Sequence, residues 1–371
     1  MLQPTETEKT ELVSAIFGQA LAQHANTSKF KSYFRHYVSV VCPASSGDAV
    51  IELDTSLLRS HGDVIKYVQF LTKDPALTLD AFVAANASQK SIAVSVREKQ
   101  HISRVIVEVW FAIDCMAQDY YSPTRQGPSL QQIKWEGNTS FLAFIESSFK
   151  AAASQDGHHW PLSKTQIKSL KGWKLVKRYG IKIRGTNNLL EHLDFDTNTM
   201  TLKVFHQVSF LRAHLTKTKE QPLDLSFEES IKQGSLPPRL LLETLLTFHD
   251  VLFPVASIRE KKSRSLLKTL IAKHDFDGEA EWIEFVRATT EDITAFRYWG
   301  HRLAALHEII KRPPPANAMV AWFERHTSER NALTVAIVGL FLSVLFGLLS
   351  FIVGLLQLIL AWVAYKYPTA S

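Results

Sequence analysis

Asp194, Asp196 and Asn198 in "DFDTNT" alternate as the oxygen ligands of a calcium loop do. Such a loop needs Gly at its sixth position and a bidentate Glu at its twelfth, whereas Thr199 and Phe205 stand there. The stretch therefore reads as a turn. His158 and His159 are adjacent and cannot share a helix face as a zinc-binding i, i+4 pair does, so "SQDGHHWPLS" reads as a solvent loop. His192, His206 and His214, with Glu191 and Asp194 nearby, supply the residue types of a general acid–base pair. In a chain with 14 histidines that composition is weak, and helix-surface or core roles are favoured. No GxSxG elbow, GxxxxGK[ST] phosphate loop or GxGxxG fingerprint is present. Enzyme classes with a readable motif are disfavoured; those without one are untouched. No catalytic, cofactor-binding or metal residue is assigned.

Charge is the stronger signal. Lys164, Lys168, Lys171, Lys174, Lys177, Arg178, Lys182 and Arg184 follow one another with no acid among them, and residues 259–273 add six cations against Glu260. Such a face can rest on anionic lipid, each charge near the surface contributing ~1 kcal/mol. Trp173 and Tyr179 lie among these cations, and aromatic rings beside basic groups also hold single-stranded nucleic acid. A plain solvated helix face is the leading reading, ahead of both. Lipid is preferred over nucleic acid because of how the chain ends.

That ending is "SERNALTVAIVGLFLSVLFGLLSFIVGLLQLILAWVAYKYPTAS". No charged side chain lies between Arg330 and Lys366. Residues 333–356 favour the bilayer by roughly −5 to −10 kcal/mol on an insertion scale. A single crossing over 333–356 is expected, with 357–367 leaving through the interface where Trp362, Tyr365 and Tyr367 match an aromatic belt. A tight hairpin is the alternative, although only isolated glycines are available to turn it. Lys311, Arg312, Arg325 and Arg330 precede the span and Lys366 alone follows it, so the body is expected in the cytosol. "MLQPTETEKT" lacks a secretory signal, and the position of the span suggests a tail-anchored protein. Gly339, Ser343, Gly347, Ser350, Gly354 and Gln357 recur at steps of four and three along one helix face, a stripe that suits close approach of a second helix.

The elements that must carry these features follow from periodicity. Composition is that of a folded protein, 46% hydrophobic and 21% charged with net charge +6. Two cysteines, Cys42 and Cys115, are too few for a disulfide framework, and sequons at Asn26, Asn86 and Asn138 read as accidental in a cytosolic body. Helical spacing marks 6–23, 79–85, 102–116, 139–149, 207–215, 238–252, 262–273 and 294–310. Short β-branched runs at 37–42 and 49–53 read as a strand pair, and 181–184 with 200–205 as two strands around a short helix and a turn. The expected organisation is an N-terminal helical region (1–153), a central basic, mainly helical region with a short β element (160–312), a Pro-rich spacer with a juxtamembrane helix (313–330) and a transmembrane segment (331–366). The fold class is a mainly α body with a small β element plus one C-terminal transmembrane helix.

"WEGNTSFLAFIESSF", "KIRGTNNLLEHLDFD", "LKVFHQVSFLRAHL" and "LPPRLLLETLLTFHDVLFP", followed by a Pro-rich break and an apolar tail, resemble a family of uncharacterised filamentous-fungal proteins that end in a membrane segment. The resemblance covers roughly residues 135–365 and implies a fungal, membrane-anchored product; it carries no activity, cofactor or site. The expected function is a membrane-anchored interaction or scaffold protein. Its expected partners are the bilayer, a second copy through the transmembrane helix and an unidentified protein. A membrane-associated enzyme and an oligomeric membrane-permeabilising protein are the rivals.

Overall fold

Helix forms wherever apolar side chains recur at three- and four-residue steps and the chain offers a cap to start them. The computed structural model describes residues 1–42, 57–88, 94–115, 134–152, 160–161, 163–256, 260–282, 295–311 and 332–366. Helix α1 (Glu6–Phe17) opens on a capping box between Thr5 and Glu8 and buries Leu12, Val13, Ile16 and Phe17. Gly18, at φ +102°, ends it, so the 6–23 pattern divides into α1 and the short α2 (Gln19–Ala22). A 3-10 turn at Ser28–Phe30 leads into α3 (Lys31–Val41).

Helix α3 corrects the expected strand at 37–42. Its β-branched end suggested extended chain, but Tyr33, Phe34, Tyr37, Val40 and Val41 are all buried at helical spacing, and burying that face outweighs the weak β preference. The proposed partner strand at 49–53 lies outside the described residues. Next come α4 (His61–Lys73), α5 (Leu79–Ser88), α6 (Val96–Phe111) and α7 (Phe141–Ala152). Helix α6 stops short of the expected residue 116 because Ala112 turns left-handed at φ +54° and its N–H bonds back to the Glu108 carbonyl.

Strand β1 (Trp160–Pro161) precedes α8 (Lys164–Ser169), α9 (Gly172–Tyr179) and β2 (Lys182–Thr186). Then β3 (Phe195–Asp196) and β4 (Thr201–Phe205) complete a three-stranded sheet of order β2-β4-β3, β2 parallel and β3 antiparallel to β4. Helices α10 (Val208–Lys217), α11 (Phe227–Lys232), α12 (Pro238–Leu246) and α13 (Lys261–Lys273) follow, with a π-type turn at Thr247–Leu252. The helix expected at 294–310 begins later, as α14 (Gly300–Lys311). Before it, β5 (Ala295–Phe296) pairs antiparallel with β1, and the Arg297 and Tyr298 N–H groups donate to the buried Glu243 carboxylate. Those amides have a side-chain acceptor in place of a helix carbonyl.

The chain divides between Lys311 and Arg312 into two units. In the first, one core joins the 1–153 and 160–312 regions. Phe17 meets Phe210 edge-on at 5.7 Å, and Trp110 Nε1 donates to the Gly234 carbonyl at 3.1 Å. Lys217 Nζ donates to the carbonyls of Ile16 and Gly234, tying the end of α1 to the turn before α12; burial lowers its pKa to about 8. Cys42 and Cys115 are buried, and the Cys42 thiol donates to the Leu2 carbonyl at 3.1 Å. Asn86 is buried too, its amide donating to the Phe82 carbonyl, so that sequon is inaccessible in the folded chain. The second unit contains the uninterrupted helix α15 (Ala332–Lys366).

Candidate functional site

The residues singled out for chemistry are dispersed. Asp196 accepts from Asn198 N at 3.0 Å and from Thr199 Oγ1 at 2.8 Å, the bonding of a turn that reverses the chain between β3 and β4. Glu191 is held by Lys203 at 2.7 Å, and Asp194 lies 3.9 Å from the same ammonium. Among the described residues no group of three or more His, Cys, Asp or Glu side chains is placed to hold a metal ion. His158 and His159 lie outside the described residues.

Each of the three histidines occupies its own niche. His192 bonds Thr247 Oγ1 at 2.7 Å and accepts from the Phe205 N–H, which makes it a neutral imidazole with its proton on Nε2. His206 accepts from the Asp277 N–H at 3.2 Å. His214 is enclosed by Phe17, Phe111 and Phe210. Burial pushes His192 and His214 down to about 3 and His206 to about 4, so none is protonated near neutrality. A contact missed in the sequence joins two of the elements: Asp277 accepts from both the backbone N–H and the hydroxyl of Ser209, at 2.8 and 2.6 Å. This is a helix cap supplied from a distant loop. Ser209 donates to a carboxylate, and His206 faces a backbone N–H instead of the serine, so the three do not form a nucleophile relay.

The two basic segments, by contrast, converge. Helices α9 and α13 pack together, and the half-buried Trp173 ring receives Lys262 Nζ at 4.6 Å, the Arg178 guanidinium at 5.6 Å and Lys174 Nζ at 5.8 Å from its centroid. Close packing of α9 depends on Gly172, where a Cβ would lie 3.0 Å from the Phe253 ring and 3.1 Å from the Leu252 carbonyl. Lys168, Lys177 and Arg178 are exposed, and Lys182 and Arg184 alternate outward along β2 around the buried Ile183. Lys174 also donates to the Lys168 carbonyl at 2.6 Å, closing the end of α8. Its pKa is lowered, first by burial and then by the Arg178 and Lys171 charges.

Lys171 does not belong to this surface, because it is ion-paired with Glu260 in a half-buried position. The side chain of Lys164 lies outside the described residues. Lys261 and Lys262 of α13 take their places. The run at 259–273 signalled this second cationic segment, but spacing alone could not place it beside α9.

In the other unit, Gly339–Val363 of α15 is the one stretch among the described residues long and apolar enough to cross a membrane. Its 25 residues span about 37 Å, more than a ~30 Å hydrocarbon core requires. A hairpin is not formed. Residues 357–366, expected to leave through the interface, stay helical because nothing in "QLILAWVAYK" releases the backbone from its own hydrogen bonds. Lys366 lies 4.9 Å from the Trp362 ring. The stripe residues Gly339, Ser343, Gly347, Ser350, Gly354 and Gln357 are exposed, and a Cβ at any of the three glycines would meet nothing. Comparison with known proteins returns no match: no family model, no curated protein and no solved structure is similar to the chain.

Proposed function

We propose that the chain is a single-span, membrane-anchored interaction protein whose body faces the cytosol and lays the α9–β2–α13 surface on anionic lipid. The observation that carries this reading is the gathering of cations from both basic segments around Trp173. Like charges repel, and an anionic surface relieves the repulsion that the Trp173 ring and Glu260 offset only in part. An anionic bilayer is such a surface, and an indole suits the headgroup region. A tether raises the local concentration of lipid, so adhesion of a few kcal/mol suffices. The excess of Lys and Arg before α15 supports the cytosolic orientation. The small-residue stripe supports self-association of the anchor, which would make the body a paired platform for a protein partner.

Hydrogen exchange on the full-length chain in nanodiscs tests the lipid contact. Backbone amides of 172–184 and 261–273 are expected to exchange at least several-fold more slowly on phosphatidylserine-containing discs than on phosphatidylcholine discs. The difference should vanish at about 0.5 M salt, where screening lengths are only a few Å. It should also vanish in a Lys177→Glu, Arg178→Glu, Lys262→Glu variant. Equal exchange on both lipids would sink the proposal.

A further inference from the structure

Helices α1 and α3 leave between them an open groove of about 500 Å³, lined by Gln3, Lys9, Asn26, Lys31, Phe34 and Arg35 among others. Its volume lies in the range of small-molecule sites. Phe34, Pro4 and Ala25 are buried and form apolar parts of the wall. Lys31 and Arg35 stand one helical turn apart on α3, and Lys9 reaches across from α1 to within 5.6 Å of the Phe34 ring centroid.

Three cations therefore line one concavity, and no carboxylate belongs to its lining. Arg35 has an exposed partner outside it, Asp275 at 2.7 Å, while no ion pair is formed by Lys9 or Lys31 among the described residues. Cations of one sign gathered there attract an anion to the groove although it is open to water.

Three neutral polar side chains of the rim already donate within the chain, and Gln3 is exposed beside them. Asn26 donates to the Glu6 carbonyl, Thr27 to the His24 carbonyl and Ser28 to Glu279. The donors left for a ligand are chiefly the ammonium and guanidinium groups. A sugar or other neutral polyol would find few matched partners, whereas an anion finds the ammonium groups of Lys9 and Lys31 and the guanidinium donors that Arg35 does not give to Asp275. We infer that this groove binds a phosphate-bearing small molecule or headgroup, its phosphate oxygens held by Lys9, Lys31 and Arg35 and its body against Phe34. The site is separate from the α9–α13 surface and does not depend on how that surface is used.

The test is a fluorescence titration of the full-length chain in phosphatidylcholine nanodiscs with trinitrophenyl-ATP, an anionic aromatic probe. Saturable binding is expected, weakened about tenfold or more by Lys31→Glu, the loss of one charge-assisted contact. Lys219→Glu, the same charge change at an exposed position outside the groove, should leave binding intact. Displacement by inorganic pyrophosphate would assign a soluble phosphate ligand. Displacement only by discs containing a phosphatidylinositol phosphate would assign a headgroup. Absence of saturable binding, indifference to Lys31→Glu, or equal weakening by Lys219→Glu would each overturn the inference.

Discussion

Asp277 illustrates how much depends on single side chains whose partners are remote in sequence. Its carboxylate takes the Ser209 N–H and hydroxyl with one oxygen and the Glu279 N–H with the other, holding the start of α10 and the 3-10 turn Gly278–Glu281 together. Burial raises its pKa and these hydrogen bonds oppose the rise, so the acceptor is kept at a desolvation cost. Asp277→Ala leaves those donors buried without the acceptor and should cost about 2–3 kcal/mol, with Asp277→Asn losing less because one oxygen remains. Denaturant midpoints followed by near-UV circular dichroism read the difference, and an alanine variant within about 0.5 kcal/mol of the parent contradicts the role. Nothing at residues 206–209 announces this contact, since its other half lies 68 residues away. The "DFDTNT" carboxylates were legible as a turn because every group needed to make that turn is local.

At the scale of elements, periodicity served well where a whole amphipathic face lay inside one window, as in α1, α10, α12 and α13. It failed at α3, where the β-branched run 37–42 does not include Tyr33 and Phe34, the residues that reveal the helical period. The stripe on α15 belongs to this scale as well. With Gly347 and Gly354 both changed to Leu, crosslinked dimer recovered from membranes containing the full-length chain should fall about fivefold or more, in line with the 1–2 kcal/mol that close helix packing contributes in lipid. Leu349→Ala, on the opposite face, should leave it unchanged. Undiminished crosslinking in the double glycine variant would remove self-association from the proposed function.

Across the whole body, burial of histidines makes stability depend on pH. His36 and His206 titrate at about 4, and His192, His214 and His249 at about 3, in each case chiefly because burial disfavours the charged ring. The unfolded chain protonates these rings at about 6.5 and the folded chain does not, so below pH 6.5 protons favour unfolding. Each ring withdraws about 1 kcal/mol between pH 7 and 5.5, and the loss continues until the folded values are reached. Glu108, pushed up to about 7 by burial, opposes this by roughly as much as one histidine, because its folded form takes up a proton first. Thermal unfolding followed from pH 7.5 to 5 should show Tm falling steeply below pH 6.5, and a flat profile contradicts it. The apolar segment and the turn between β3 and β4 were determined by the sequence alone, because they depend on transfer of a contiguous run of side chains and on hydrogen bonds within a few residues. Tertiary structure alone decided that two basic runs share one indole, that Lys171 leaves the patch for Glu260, that the histidines are kept apart and that α1 and α3 enclose a cationic groove. Those outcomes are set by which faces the single core brings into contact over separations of tens to hundreds of residues, and local periodicity does not encode that choice.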